Sequence, residues 1–460
     1  MSERARVEQQ VEELMELAEQ VVTRARKGGA DVAEAIARSG SELTTKVRLG
    51  EPELVEEAVH KGLGMRIIKK QRVALTSTSD LTPRGIDRFV ADALELADIS
   101  QEDAFAGPAD PELIAKGPLP ALDLYDPSGG EVTAAQAIDI ARRGEQAARD
   151  ADPRITNSEG ATFSRSAGAF ALVLSGGFRG GFAGSYAQLV VSPIADDSGD
   201  KKRRGFYFTG RRHLADLDAP DAVGREAARR TLRKLGARKV ATCEAPVVFD
   251  PDVARSMLGL LGSCIMGSSI WRKSSYLVGR EGTRIASDLI TVVDDPLIPR
   301  APGSRPFDGE GLLARRNVVV EQGILKTYLC DSYSGRKLKR PPTASASRGA
   351  GGGVGPSTSN FLLQPTSTPA AEIVRSTPRG LYVTEMMGFG FNAVTGDFSR
   401  GASGFWIENG ELAYPVSEVT ISLNLDELLQ RIDAVGDDLD LRTSTCSPTF
   451  RVSSMTIAGS

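Results

Sequence analysis

Histidine is almost absent: the 460 residues hold two, His60 and His213. Histidine is the commonest transition-metal ligand and a frequent general base. A catalytic zinc site usually takes three protein ligands, often two or more of them histidine. This chain can build a two-histidine site only if those two meet. His60 lies in "ELVEEAVHKGLGMRII" and His213 in "TGRRHLADLD", and both read as surface or domain-edge positions. Serine–histidine and cysteine–histidine catalysis face the same shortage. Cysteine is sparse as well. Cys243, Cys264, Cys330 and Cys446 lie far apart with no C-x-x-C pair, which reads as buried or free thiols in a reducing cytoplasm. No stretch approaches the ~18–20 apolar residues of a membrane span. The opening "MSERARVEQQ" is too charged for a secretory signal, so the expectation is a cytoplasmic protein with no membrane partner. Neither sign of charge is in excess: Lys+Arg number 56 and Asp+Glu 60, a net charge of −4. That gives no electrostatic reason to expect nucleic acid. The one dense basic run, "KKRR" at Lys201–Arg204, reads as a solvated loop.

What is present is ordinary globular composition, 41% hydrophobic and 25% charged, in a chain long enough for about two or three domains. Val7, Val11, Leu14, Ala18 and Val21 repeat at helical spacing, and Gly28-Gly29 stops that helix. "ADVAEAIARSG" and "SELTTKVRLG" read as two strands, and "LGMRIIKKQRVALTSTSD" as a hairpin. Thr82 and Pro83 open a second helix. A third, about Thr133–Asp150, precedes glycine-punctuated strands, "RITNSEGATFSRS", "GAFALVLSGGFRG", "GFAGSYAQLVVSPIAD" and "RRGFYFTGRR". After a helix at about Ala222–Leu235 a boundary falls near Ala237–Ala245. The fold class is α+β: residues 1–240 form an antiparallel sheet with helices packed on it, and residues 241–460 a strand-dominated domain with a few helices.

The second half opens with "APVVFD", where Asp250 can cap a helix and Pro251 fits its first position. Val253, Met257, Leu260/Leu261 and Cys264 then form one apolar stripe. Two hairpins follow, turning at Gln322-Gly323 and Asn409-Gly410, the latter a strong type I′ signal. The run "RGAGGGVG" (Arg348–Gly355) lacks the lysine of a phosphate loop. We read it as a mobile loop whose Gly349, Gly351, Gly352, Gly353 and Gly355 could serve a substrate or interface contact. In "GFGFNAVTGDFSRGASG" the glycines flank strands, consistent with close backbone approach.

The blocks "SDLITVVDDP", "DGEGLLARRNVVVEQGILKTYLCDSYSGRK" and "NAVTGDFSRGASGFWIENGELAYPVSEVTISLNL", with "HKGLGMRII" and the closing "SPTFRVSSMTIAG", resemble the TldD/PmbA family, once labelled modulators of gyrase. The resemblance covers essentially the whole chain. It implies an N-terminal α+β domain and a C-terminal β-rich, barrel-like domain, and a cytoplasmic heterodimeric metalloprotease that trims unfolded or short polypeptides. One branch of the family holds zinc through H-E-x-x-x-H on a helix plus a later cysteine; the TldE/PmbA-like branch lacks those ligands. Aligned by "WRKSSY", the zinc helix falls on "GLLGSC", placing Gly259, Leu260 and Cys264 at the ligand and base positions. Cys446 lies two residues before Pro448, too close to match the family's ligand cysteine, and reads as a buried thiol. The resemblance therefore implies no metal, cofactor or catalytic residue in this chain, a TldD-like paralogue carrying the zinc, and a peptide substrate. Alternatives are a stand-alone, homodimeric peptide-binding module, and a hydrolase using Cys264 or Ser268/Ser269.

Overall fold

The computed structural model describes residues 3–459. Helix α1 (Glu3–Lys27) leads into strands β1 (Val32–Arg48), β2 (Glu51–Lys69) and β3 (Arg72–Thr78). Helices α2 (Pro83–Ile99) and α3 (Ala134–Arg149) follow, then β4 (Asn157–Leu174), β5 (Arg179–Asp196), β6 (Lys202–Arg204), β7 (Tyr207–Arg211) and α4 (Pro220–Leu232). Next come β8 (Cys243–Phe249), α5 (Pro251–Cys264), α6 (Gly267–Trp271), β9 (Val292–Asp294), β10 (Asn317–Glu321), β11 (Ile324–Leu325) and α7 (Ser332–Leu338). After β12 (Ala346–Arg348), β13 (Val354–Pro356), β14 (Phe361–Leu363) and α8 (Ala370–Arg375), the chain runs through β15 (Arg379–Met387), β16 (Asp397–Glu408) and β17 (Glu411–Asn424). It ends with α9 (Leu425–Gln430), β18 (Ile432–Val435), β19 (Thr445–Cys446) and β20 (Phe450–Ala458).

The first seven strands form one antiparallel sheet, in the order β3-β2-β1-β4-β5-β6, with β7 also on β5. Strand alternation sorts its two faces. Ala33, Ala35 and Ala37 of β1 stand beside Ile67, Met65 and Leu63 of β2 and pack under α1 and α2. Leu43, Val47, Phe163 and Leu189 continue that face beneath α3 and α4. The helices are fixed by local chemistry: Thr82 caps α2, and Thr133 with Gln136 forms a reciprocal capping box on α3. The opposite face is covered by the second half of the chain. Ile36, Leu172, Leu174 and Phe178 bury against Phe307, Leu312 and Ala344.

In the second half, β17-β16-β15-β8-β20 is closed by a further β17–β20 pairing into a five-stranded barrel, with β18 on the outer side of β20. A mixed sheet, β11-β10-β9-β14-β19, packs beside it. The mixed α+β class and the barrel agree with the sequence reading. Asn409 and Gly410, at φ 54° and 79°, make the tight turn read from the sequence.

Three sequence readings are corrected. The two strands expected around Gly40 are one strand, β1, of 17 residues. Likewise β4 runs unbroken for 18 residues through Gly168. The basic run is not a free loop: Lys202–Arg204 pairs with β5, and Arg203 lies 2.8 Å from Asp197.

Candidate functional site

Helix α5 is set by its start. Asp250 accepts a hydrogen bond from the Asp252 backbone N–H (3.1 Å), and Pro251 occupies the first position. Tyr382 donates its hydroxyl to the other Asp250 oxygen at 2.9 Å. Burial and the adjacent Asp252 carboxylate push Asp250 above the ordinary carboxylate range. The face toward the barrel core is Val253, Ala254, Met257, Leu258, Leu261 and Cys264. The stripe read from the sequence is therefore correct with Leu261, not Leu260, as its inner member. Leu260 is half-buried against the rim of that core.

The three positions that the resemblance sets against a zinc helix differ in kind. Gly259 is exposed, with nothing within 4 Å of where a Cβ would stand. Leu260 is hydrocarbon. Cys264 is sealed in the core, where burial pushes its thiol up. Zinc needs deprotonated thiolate, imidazole or carboxylate donors, and this trio offers none. Among the described residues, no three His, Cys, Asp or Glu side chains converge as a metal-binding group. The residues do not fit a zinc ion.

The remaining thiols and histidines do not change this. Cys446 packs with Val293 and Leu362 and donates to the Thr443 carbonyl at 2.9 Å. Cys330 is buried elsewhere, its thiol pushed up to about 12 by desolvation. A protonated buried thiol is inert as nucleophile and ligand. The two histidines do not meet. His60 is exposed on β2, opposite Gly40. His213 follows β7, across the sheet, with Nε2 3.1 Å from the Asp123 carbonyl oxygen.

The glycine run is not a mobile loop. β12 and β13 pair across it, and the turn seats on β2 of the first sheet. A Cβ on Gly64 would stand 2.0 Å from the Ala350 carbonyl oxygen, and Gly352 at φ +84° would meet the Met65 backbone. These glycines let two main chains touch. Gly349, Gly351, Gly353 and Gly355 have no such crowding below 3.4 Å.

Beside this turn lies a charged junction that sequence reading missed. Glu34, at 3% side-chain exposure, accepts from Arg66 Nη1 (2.9 Å) and Arg348 Nη2 (2.7 Å) on one oxygen. Arg348 spends its other nitrogens on the Gly309 and Gly352 carbonyls, at 2.7 and 3.0 Å. The two guanidinium groups outweigh desolvation and hold Glu34 below the ordinary carboxylate range. Nearby Glu310 accepts from the Ser332 N–H and hydroxyl (2.8 and 2.7 Å). Asp308 spends its oxygens on the backbone N–H groups of Glu310, Leu312 and Ala346. Burial, with Asp308 adjacent, pushes Glu310 up. No local pattern marks this junction, because its members come from strands and a turn far apart in sequence, brought together only by the fold.

Asp294, on β9, gives a pH test. Desolvation pushes it up to about 6, although it accepts the Ser359 N–H at 2.6 Å. Its folded pKa exceeds its unfolded one, so the native state binds the extra proton between about pH 4 and 6. Stability from this group therefore falls as pH rises through that window. Asp294→Asn keeps an acceptor for Ser359 and removes the charge. We expect its thermal midpoint to match wild type near pH 4 and to exceed it above pH 7, by stability on the order of 2 kcal/mol. A gap independent of pH would show that Asp294 titrates normally.

Three family models match in series: PmbA/TldA metallopeptidase domain 1 over residues 33–97, the central domain over 127–235 and the C-terminal domain over 242–459. The metalloprotease PmbA of Escherichia coli O157:H7 is 38% identical over 453 residues, 98% of each chain. A PmbA homologue of Haemophilus influenzae is 36% identical, covering 98% of this chain and 97% of its own. Among solved structures, a putative modulator of DNA gyrase from Bacteroides thetaiotaomicron superposes with TM-score 0.90 at 27% identity, over 97% of this chain and 98% of that one. TldE from Thermococcus kodakarensis shares the fold at TM-score 0.85 and 22% identity, over 96% of this chain and 100% of its own. On these matches, which span nearly its whole length, the chain belongs to the PmbA/TldD family.

Proposed function

We propose that this chain is the non-catalytic, TldE/PmbA-like subunit of a cytoplasmic, heterodimeric zinc metalloprotease that trims unfolded or short polypeptides. The observation that carries this reading is the chemistry of α5. It presents an open glycine, a hydrocarbon and a sealed thiol where hydrolysis needs metal ligands and a base. A helix without ligands cannot lower the pKa of a bound water, which is the metal's central contribution to peptide hydrolysis. The zinc then resides in a paralogue bearing H-E-x-x-x-H, and this subunit supplies architecture and substrate docking. The names of the relatives and the four free thiols support the activity class and the reducing compartment.

Co-expression with such a paralogue tests the reading. We expect a co-purifying pair that holds zinc and cleaves peptides, whereas this chain alone holds no stoichiometric zinc. Within the pair, Cys264→Ala, Cys446→Ser and His213→Ala should each leave cleavage within a few-fold. A true catalytic group would cost on the order of 10³ or more. One tightly bound zinc per isolated chain, lost on replacing Cys264 or Cys446, would sink the assignment.

A further inference from the structure

The cleft between the seven-stranded sheet and the segment Arg305–Gly309 shares Arg348 and Asp308 with the charged junction, but its open space has no role in the function proposed above. It encloses about 380 Å³, toward the lower end of the range for small-molecule sites. Its floor is a row of three glycines in register: Gly40 on β1 faces Gly168 on β4, which faces Gly184 on β5. A Cβ on Gly168 would stand 2.6 Å from the Ser39 carbonyl oxygen, so the floor is bare main chain. His60 stands at the end of the row, paired with Gly40. Phe170 and Phe182, with ring centroids 5.4 Å apart, form an apolar shoulder.

The walls carry cations whose hydrogen-bonding capacity is not used. Arg38 donates through Nη2 to the Arg348 carbonyl at 2.7 Å, and its guanidinium lies 5.4 Å from the centre of the Phe170 ring. Its Nε is enclosed without a partner. Among the described residues, the Arg305 guanidinium has no ion pair within 4.0 Å, and its Nε and Nη2 are enclosed without a partner. Asp294 and Asp308 act on Arg305 through space, but Asp308 is committed to backbone N–H groups. Arg348, also on the wall, is saturated by Glu34 and two carbonyls. Those enclosed nitrogens lie out of a ligand's reach; what leaves the site open to an anion is that the Arg305 guanidinium lines the cleft with no carboxylate bonded to it among the described residues, and a guanidinium is the preferred partner for such a group. The partner chemistry is planar and anionic, because the guanidinium fork matches a carboxylate. Glu42, also lining the cleft, repels any anion and a doubly charged phosphate more than a singly charged carboxylate.

We propose that this cleft binds the C-terminal carboxylate of an extended peptide, with Arg305 and Arg38 as the anion-binding pair and the glycine row as the floor for its last residues. The choice of a peptide over another carboxylate rests on the peptide-trimming reading; the anion site itself does not. The shape supports a chain end: a narrow, side-chain-free floor accepts an extended main chain, and the volume has no room for a folded partner.

The test is binding of a fluorescent peptide of about six residues, as free acid and as C-terminal amide, to the purified full-length chain. We expect the acid to bind about ten- to one-hundred-fold more tightly, the worth of one or two charge-assisted hydrogen bonds. Arg305→Gln and Arg38→Gln should each reduce the acid toward the amide, with melting curves confirming folded variants. Acetate should compete and inorganic phosphate should compete no better. Equal binding of acid and amide, no binding of either, acid preference surviving both substitutions, or stronger competition by phosphate would each overturn the proposal. The readout needs no catalysis. A pair that fails to cleave peptides would reject the protease reading while leaving acid-selective binding intact. A cleaving pair whose subunit shows no acid preference would reject only the cleft.

Discussion

Replacing Glu34 with alanine is expected to destabilise the folded chain by about 3–5 kcal/mol, the usual consequence of removing one member of a buried ion network. Among the described residues Glu34 is the one anion directly bonded to Arg66 and Arg348, whose side chains are 9% and 1% exposed. Without it two like charges stay buried together, with water excluded by the turn seated on β2. The conservative Glu34→Gln variant keeps an acceptor but no charge, and should fall between. Because Glu34 holds its proton less tightly when folded than the ordinary carboxylate, its contribution is present above the unfolded value near 4.5. It is lost as pH falls through the lower folded value. Denaturant titration at pH 7 and at pH 3 measures both effects. A loss below about 1 kcal/mol at pH 7 would mean that the junction is replaceable by hydration.

The second large effect concerns α5. Leu261 is 1% exposed within the barrel-side core, and Leu261→Asp would place a carboxylate there with no cation at hand. Such a burial costs several kcal/mol, enough to remove soluble protein. Leu260→Asp is the internal control: its half-exposed side chain can reach water, so we expect a milder loss and recoverable protein. Equal yields of both variants would mean that the helix is rotated from the orientation described. The contrast separates a helix that packs a core from one that presents a site, since in a ligand helix the outward neighbours would be the sensitive ones.

Much of the fold was readable because its signals are local. The cap at Thr82, Asp250 before Pro251, and Asn409-Gly410 each act within a few residues, and the structure realises all three. The apolar stripe of α5 is readable in the same way, and only the exposure of Gly259, Leu260 and Cys264 required coordinates. The failures share a cause. Glycine usually punctuates, so Gly40 and Gly168 read as strand ends. Here they lie mid-strand, where main chains and the cleft need the absent side chain. Consecutive glycines read by default as flexible, so the run Arg348–Gly355 reads as a mobile loop. Its order comes from Gly64 and Met65, nearly 300 residues earlier in the chain. Arg38 and Arg348 meet across 310 residues, a separation no window of sequence reveals.

The closure of the barrel by β20 also sets an order of events during synthesis. β8 finds its antiparallel neighbour only when Phe450–Ala458 has been made, about 200 residues after Phe249. At roughly 5–20 residues per second, one edge of β8, with Val247 and Phe249, waits roughly 10–40 s for its neighbour. The first sheet, complete by Arg211, can fold in that interval. The nascent second half, carrying an unpaired apolar strand, is therefore the stage at which this protein is most exposed to aggregation and most dependent on chaperones.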